Sequence, residues 1–276
     1  MKFGICTFVT DETIRPSTLA VALEERGFDS LFLAEHSHIP ASRETPYPGG
    51  GELPRYYYRT LDPFVALTAA ATVTDRLRLG TGIALAIQRD PIHLAKEVAS
   101  LDLVSGGRVS FGVGVGWNRE EMRDHGTDPR TRGARLDEQL AAMTELWTKD
   151  EAEFHGKFVD FGPAFAWPKP VQQPRPPIFV GGDSPAALAR VAAHGDGWMP
   201  NAKRQPDEIR DQVARAAEAL GPNARLIGAF ARATPEIVEA YQEGGAEELD
   251  FVLVPGPTAD VQRTLDKIAT IIAPYR

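Results

Sequence analysis

The chain has 276 residues, of which 43% are hydrophobic and 25% charged, and a formal net charge of −8. The length suits one large α/β domain spanning residues 1–276, and the acidic balance lacks the basic face that a nucleic-acid partner needs. No apolar run reaches the roughly 18 residues of a membrane span, Met1-Lys2-Phe3-Gly4-Ile5 lacks a signal peptide's apolar stretch and cleavage site, and the lone Cys6 permits no internal disulfide, so a cytoplasmic protein with no membrane partner is expected.

Lys2 to Phe8 alternates and is rich in β-formers, which predicts a first strand with Cys6 in the core. Arg15-Pro16-Ser17 opens a helix that Gly27 closes. Phe28 to Pro40 follows, with an apolar run from Leu31 to Ala34 that ends abruptly in Glu35, His36 and His38. Between a helix stop and a proline, that run reads as a buried second strand carrying titratable groups at its C-terminal end. The long stretch from His36 to Leu61 contains three consecutive tyrosines, 56–58, and reads as an ordered loop over a site.

Asp62-Pro63 and Asp90-Pro91 each combine an N-cap with a proline at the first helical position, so two helices start there. They alternate with strands three, Leu77 to Leu85, and four, Arg108 to Gly116. Helical text at about 132–149 and an aromatic, proline-rich segment from Phe154 to Pro177, expected to hold a small hairpin, precede strand five, Ile178 to Gly182. Strand six is short, Gly197 to Pro200; strands seven and eight are Leu226 to Phe230 and Leu249 to Val254, and an amphipathic helix ends the chain. Arg26-Gly27-Phe28-Asp29 and His194-Gly195-Asp196-Gly197 repeat one junction: helix, glycine stop, aspartate, strand. Eight alternating units predict a (β/α)8 TIM-like barrel with an insertion between strands four and five.

Such a barrel carries its chemistry at the C-terminal strand ends. There the chain offers Glu35 and His36, Gly82 and Ile83, Gly114 to Asn118, and Gly181-Gly182-Asp183-Ser184. The last group is either a phosphate or carboxylate seat at a helix N-terminus or an N-capped tight turn without a ligand. Gly112, Gly114 and Gly116 strip one strand face, for interior packing or for a flat ring; Trp117 breaks the dinucleotide fingerprint. His36 and His38 form a His-x-His pair, but the later strand ends supply no further ligands, so no metal is expected. An imidazole titrates near neutrality and can exchange a proton with a ligand, and Glu35 beside it could fix its tautomer.

Several stretches together resemble the bacterial luciferase-like monooxygenase superfamily, in its branch of coenzyme F420-dependent oxidoreductases. They are Ala34 to Pro40, Thr60 to Phe64, Leu79 to Ile83, Leu94 to Glu97, Gly112 to Trp117 and Pro177 to Gly182. The resemblance runs from Lys2 to about Pro200. It implies a homodimeric barrel with F420, or alternatively FMN, across the strand C-termini and a cis peptide at Gly82–Ile83 behind the ring. It implies His36 as acid/base with Glu35 orienting it, and cofactor contacts from Glu35, His36, Gly82, Ile83, Gly114, Val115, Gly116, Asn118, Gly181, Gly182, Asp183 and Ser184. Tyr56 to Tyr58, Trp117 and the Phe154–Trp167 insert then form a lid over a small-molecule substrate or simply pack. The implied activity is hydride transfer between F420 and that substrate; the alternatives are an FMNH2-dependent two-component monooxygenase and a non-catalytic flavin- or deazaflavin-binding protein.

Overall fold

The computed structural model describes residues 1–221 and 224–276. Eight parallel strands form the barrel: β1 (Lys2–Thr7), β2 (Ser30–Leu33), β3 (Arg78–Thr81), β4 (Val109–Val113), β7 (Ile178–Gly181), β8 (Gly197–Met199), β9 (Ile227–Ala231) and β10 (Glu248–Leu253). They are hydrogen-bonded in the order β8-β7-β4-β3-β2-β1-β10-β9. Two parallel bridges, Trp198 with Leu226 and Asn201 with Ala229, bring the ends together. Trp198 N–H donates to Arg225 O at 2.8 Å and Ala229 N–H to Pro200 O at 3.0 Å. The eighth strand pair is thus made by bridges because β8 is only three residues long.

The helices are α1 (Pro16–Glu25), α2 (Pro63–Ala71), α3 (Pro91–Ser105), α4 (Arg119–Asp124), α5 (Arg132–Thr148), α6 (Pro185–His194), α7 (Pro206–Leu220), α8 (Pro235–Glu243) and α9 (Thr258–Ile272). None is long and apolar enough to cross a membrane. Proline occupies the first turn of α1, α2, α3, α6, α7 and α8, where its missing N–H is no loss. Asp62 accepts from Phe64 N–H at 2.9 Å and Asp90 from His93 N–H at 2.9 Å, as the two Asp-Pro pairs predicted. The insertion holds an antiparallel hairpin of β5 (Ala152–His155) and β6 (Asp160–Ala164).

Side-chain alternation along the parallel strands builds two cores. Ile5, Leu31, Leu33, Leu79 and Val109 face the helices, in one continuous cluster. Cys6, Phe32, Phe179, Met199, Ile227 and Ala229 form a separate cluster inside the barrel. The repeated glycine–aspartate junction has a matching use at both sites. Asp29 accepts from Phe3 N–H at 2.8 Å and Asp196 from Ile178 N–H at 2.7 Å, so each supplies an acceptor at the start of a barrel strand.

Two expected strands end early. Strand three stops at Thr81, and the chain bends at Gly82 and passes a single bridge at Ala84 before a 3-10 turn at Ala86–Gln88; strand four stops at Val113. Residues 119–124, given no element in the sequence reading, are helical because Asn118 caps them, accepting from Glu121 N–H at 3.3 Å.

At the other end of the barrel, Asp250 and Glu248 are fully buried on β10. Ser30 Oγ contacts Glu248 Oε1 and lies 3.1 Å from Asp250 Oδ1, and Arg78 approaches Glu248 at 3.9 Å. One serine proton cannot serve two carboxylates, so the pair keeps an extra proton. Burial, then the charge of Glu248, raises the Asp250 carboxyl well above its ordinary value. A raised folded value means that the folded chain binds more protons than the unfolded one. The stability contribution is therefore complete below the unfolded carboxyl value of about 4 and is lost as pH rises toward the folded one. Asp250→Asn is expected to gain on the native chain between pH 5 and 8, by up to about 1.4 kcal/mol per pH unit for one retained proton. Urea midpoints across that range check it; a difference independent of pH would show that Asp250 ionises normally.

Candidate active site

A cavity of about 670 Å³ opens at the C-terminal ends of the strands. Glu35, His36, Gly82, Ile83, Val115, Gly116, Gly181 and Gly182 line it, from β2, β3, β4 and β7. Its floor is Ile83, and the Gly82–Ile83 peptide is cis. A Cβ on Gly114 would overlap Ile83 Cδ1, and one on Gly181 would sit 2.9 Å from Ile83 Cγ2. These glycines therefore make room for the isoleucine. Gly114 lies beneath Ile83 and does not line the cavity, which corrects the expectation of a cofactor contact there.

His36 and Glu35 are neighbours in sequence, but their carboxylate–imidazole pairing does not occur. His36 Nδ1 lies 2.8 Å from Oε2 of Glu121, a fully buried residue of α4. Ser37 N–H donates to the other oxygen, Oε1, at 3.0 Å. His36 Nε2 has no protein partner among the described residues, and the ring borders the cavity. Nδ1–H donating to Glu121 leaves Nε2 free to accept or, in the imidazolium, to give a proton. The residue that orients His36 is thus Glu121, not Glu35. The sequence carries a signal for it: Asn118-x-x-Glu121 has the spacing of a capping box, with the carboxylate diverted from its own helix to the histidine.

Glu35 points the other way. Leu85 N–H donates to Oε2 at 2.6 Å and Arg89 Nε to Oε1 at 2.7 Å. Arg89 also pairs with Asp62 and Glu97 and lies over the Phe64 ring at 4.9 Å. Burial raises the Glu35 carboxyl above its ordinary value, while the Arg89 charge and both hydrogen bonds oppose the rise. Burial likewise works against the Arg89 charge, but Glu35 and Asp62 outweigh it and raise the guanidinium above its ordinary value.

Three further expected contacts lie outside the cavity lining. Asn118 is buried as the α4 cap. Ser184 spends its hydroxyl on Ala187 N–H at 3.2 Å, capping α6. Asp183 turns to Lys203 Nζ at 2.9 Å. The reading of Gly181 to Ser184 as a capped turn describes the serine; the two glycines border the cavity. Three bases that the sequence reading missed, Lys203, Arg204 and Arg232, line the same cavity. Arg204 and Arg232 have no ion-pair partner among the described residues. A basic pair directly after a short strand end was the available signal.

The aromatic loop is ordered over the site. Tyr56 and Tyr57, on a 3-10 turn at Arg55–Arg59, line the cavity with Tyr47 and Trp117, whereas Tyr58 is exposed. The insertion does not cover it: none of Phe154 to Trp167 lines the cavity, and Phe165 and Trp167 face outward. His38 is at the surface, 3.0 Å from Asp124 Oδ2. No group of three or more His, Cys, Asp or Glu side chains suited to a metal occurs among the described residues.

The sequence model of the family described as luciferase-like monooxygenase matches residues 1–239. An uncharacterised protein of Mycobacterium tuberculosis is 38% identical over 281 aligned positions, covering 99% of each chain. An FMNH2-dependent dimethylsulfone monooxygenase of Pseudomonas putida is 35% identical over 185, covering 62% of this chain and 49% of its own. The solved structure of a coenzyme F420-dependent tetrahydromethanopterin reductase from Methanopyrus kandleri superposes with a TM-score of 0.73 at 16% identity, over 99% of both chains, a likeness of fold.

The paired charges give one stability prediction. Arg89→Met leaves Glu35 buried without its cation and is expected to lose about 3–5 kcal/mol. Adding Glu35→Gln is expected to recover most of that loss. Denaturant unfolding of the single and double variants measures the coupling, and additive losses would refute it.

Proposed function

The chain belongs to the luciferase-like monooxygenase family, and from that premise we propose that it is an oxidoreductase passing a hydride between coenzyme F420 and a small organic substrate. The observation that carries the reading is His36, held through Nδ1 by a buried carboxylate with Nε2 free beside the cavity. Hydride transfer to a carbonyl, or from an alcohol, moves one proton with it, and this nitrogen is placed to handle that proton.

The cavity fits the cofactor. Ile83, Val115 and the bare backbone at Gly181 and Gly182 offer a low wall for a flat ring. Lys203, Arg204 and Arg232 suit an anionic tail. When bound, the deazaflavin supplies the two-electron carrier. Glu121 keeps the imidazole in the tautomer that bares Nε2 and supports its charge once it is protonated. Tyr47, Tyr57 and Trp117 shield the site from water. Glu35 acts on the site only by holding the Leu85 amide and Arg89 in place.

The second reading, an FMNH2-dependent monooxygenase, is favoured by the likeness to the dimethylsulfone enzyme. Fluorescence titration of the purified protein with F420 and FMN decides between them: saturable F420 binding is expected, and FMN binding without F420 binding overturns the first reading. With whichever alcohol or ketone is turned over, His36→Ala is expected to lower kcat about 10²–10⁴-fold while cofactor affinity holds. Undiminished turnover removes the proton role; binding without any turnover points to a non-catalytic carrier.

The homodimer is supported by apolar side chains exposed along α2, α3 and the insertion: Val65, Ile92, Leu103, Val104, Phe165 and Trp167. Equilibrium sedimentation is expected to return twice the chain mass, and a monomer at micromolar concentration contradicts it.

A further inference from the structure

Glu121 meets His36 with one carboxylate oxygen and a network at the surface with the other. Oε1 accepts from the Ser37 N–H at 3.0 Å and lies 3.3 Å from Ser37 Oγ. That hydroxyl is shared: His125 Nε2 is 2.6 Å away and His38 Nδ1 2.9 Å. His38 Nε2 in turn lies 3.0 Å from Asp124 Oδ2, and the two imidazole rings stand 5.5 Å apart. Ser37, His38, Asp124 and His125 are exposed, and none of them lines the cavity.

Helix α4 holds this network in place. It supplies Glu121 and Asp124, and His125 is its C-cap. The helix is tied to the aromatic roof, because Thr45 N–H donates to Glu120 Oε1 at 2.6 Å and Arg123 pairs with Glu44 at 3.1 Å. The titratable and charged groups around His38 are therefore Asp124 and His125 from α4 and Glu121 behind Ser37, with Arg89 acting on His125 through its charge alone.

Counting protons gives the network two states. Asp124 and ionised Glu121 only accept, and Ser37 Oγ has one proton and two lone pairs. In neutral His38 the ring proton sits on Nε2, toward Asp124. Its bare Nδ1 then takes the Ser37 hydroxyl proton, while His125 Nε2–H donates into Oγ. Once His38 is an imidazolium, both histidines donate into Oγ, and the Ser37 proton has one acceptor left, Glu121 Oε1. His125 is the ring left neutral, since partial burial and then the charge of His38 push it below its ordinary value.

We propose that Ser37 and His38 are positioning residues for His36: the charge on His38 turns the Ser37 hydroxyl toward or away from Glu121, and Glu121 passes that change to the imidazole in the cavity. This rests on the reading of His36 as the group that handles the proton. A carboxylate that gains a donor from Ser37 holds the His36 Nδ1–H less strongly and supports the imidazolium less. His36 then gives up an Nε2 proton more readily when His38 is charged and accepts one more readily when His38 is neutral.

The test follows the His36 Nδ1 resonance by 1H–15N NMR through the carbon-bound ring protons, in histidine-labelled protein without cofactor, from about pH 5 to 9. His36→Gln, His38→Gln and His125→Gln serve to assign the signals. The native protein is expected to show two steps, one from His36 itself and one upfield step in register with the protonation of His38. Ser37→Ala keeps the backbone N–H to Glu121 but lacks the hydroxyl, and is expected to lose the second step; Ser37→Thr is expected to keep it. A His36 signal indifferent to His38 overturns the proposal. So does a second step of full size in Ser37→Ala, because the charge would then act without the hydroxyl. Turnover plays no part in this measurement, so a coupling that survives beside undiminished turnover in His36→Ala defeats the proton role alone.

Discussion

The contact between His36 and Glu121 organises the rim of this barrel. Removing a carboxylate from water is expensive unless a partner meets it, so Glu121 can be fully buried only because His36 Nδ1 and the Ser37 amide receive it. That requirement fixes α4 against the end of β2. Because α4 also carries Glu120, which anchors Thr45, the same contact determines where the aromatic roof sits. The neighbouring Glu35 is kept from competing for the imidazole by a stronger claim from Arg89. Two adjacent acidic and basic side chains are thus directed apart, one into the scaffold and one into the cavity.

Backbone geometry around the cavity has the same character. Arg43 and Phe230 are the non-glycine residues with positive φ among those described, at 51° and 57°. Arg43 lies in the roof with its guanidinium 5.9 Å from the Trp117 ring, and Phe230 lines the opposite wall where the β9–β10 register shifts. A bulky side chain in that region costs on the order of 1–3 kcal/mol, which the surrounding barrel must offset. Phe230 borders the cavity itself, and Arg43 packs against Trp117, one of the rings that line it.

The barrel was legible in the sequence because its signals are local. Asp-Pro and Ser-Pro pairs start helices, glycine–aspartate junctions restart strands, and short apolar runs are buried on both faces. The site was legible only where one strand end supplies a residue by itself, as with Glu35, His36, Gly82 and Ile83. What joins them is not local. Glu121 reaches His36 across 85 positions, and Arg89 reaches Glu35 across 54. Charge adjacency at 35–36 implied a pair that the fold does not make. The glycine alternation in strand four left packing and ring space equally open, and Gly114 turned out to be spent on Ile83. Of the basic residues after β8 and β9, only the adjacent pair Lys203-Arg204 stands out in the sequence; barrel closure is what brings Arg232 to the same cavity.

The fit of Ile83 into the hollow at Gly114 also limits the routes by which such a chain can change over generations. A methyl at 114 has no space while Ile83 keeps its Cδ1, yet that obstacle disappears if Ile83 first shortens to valine. The two substitutions are therefore admissible in one order and not in the other.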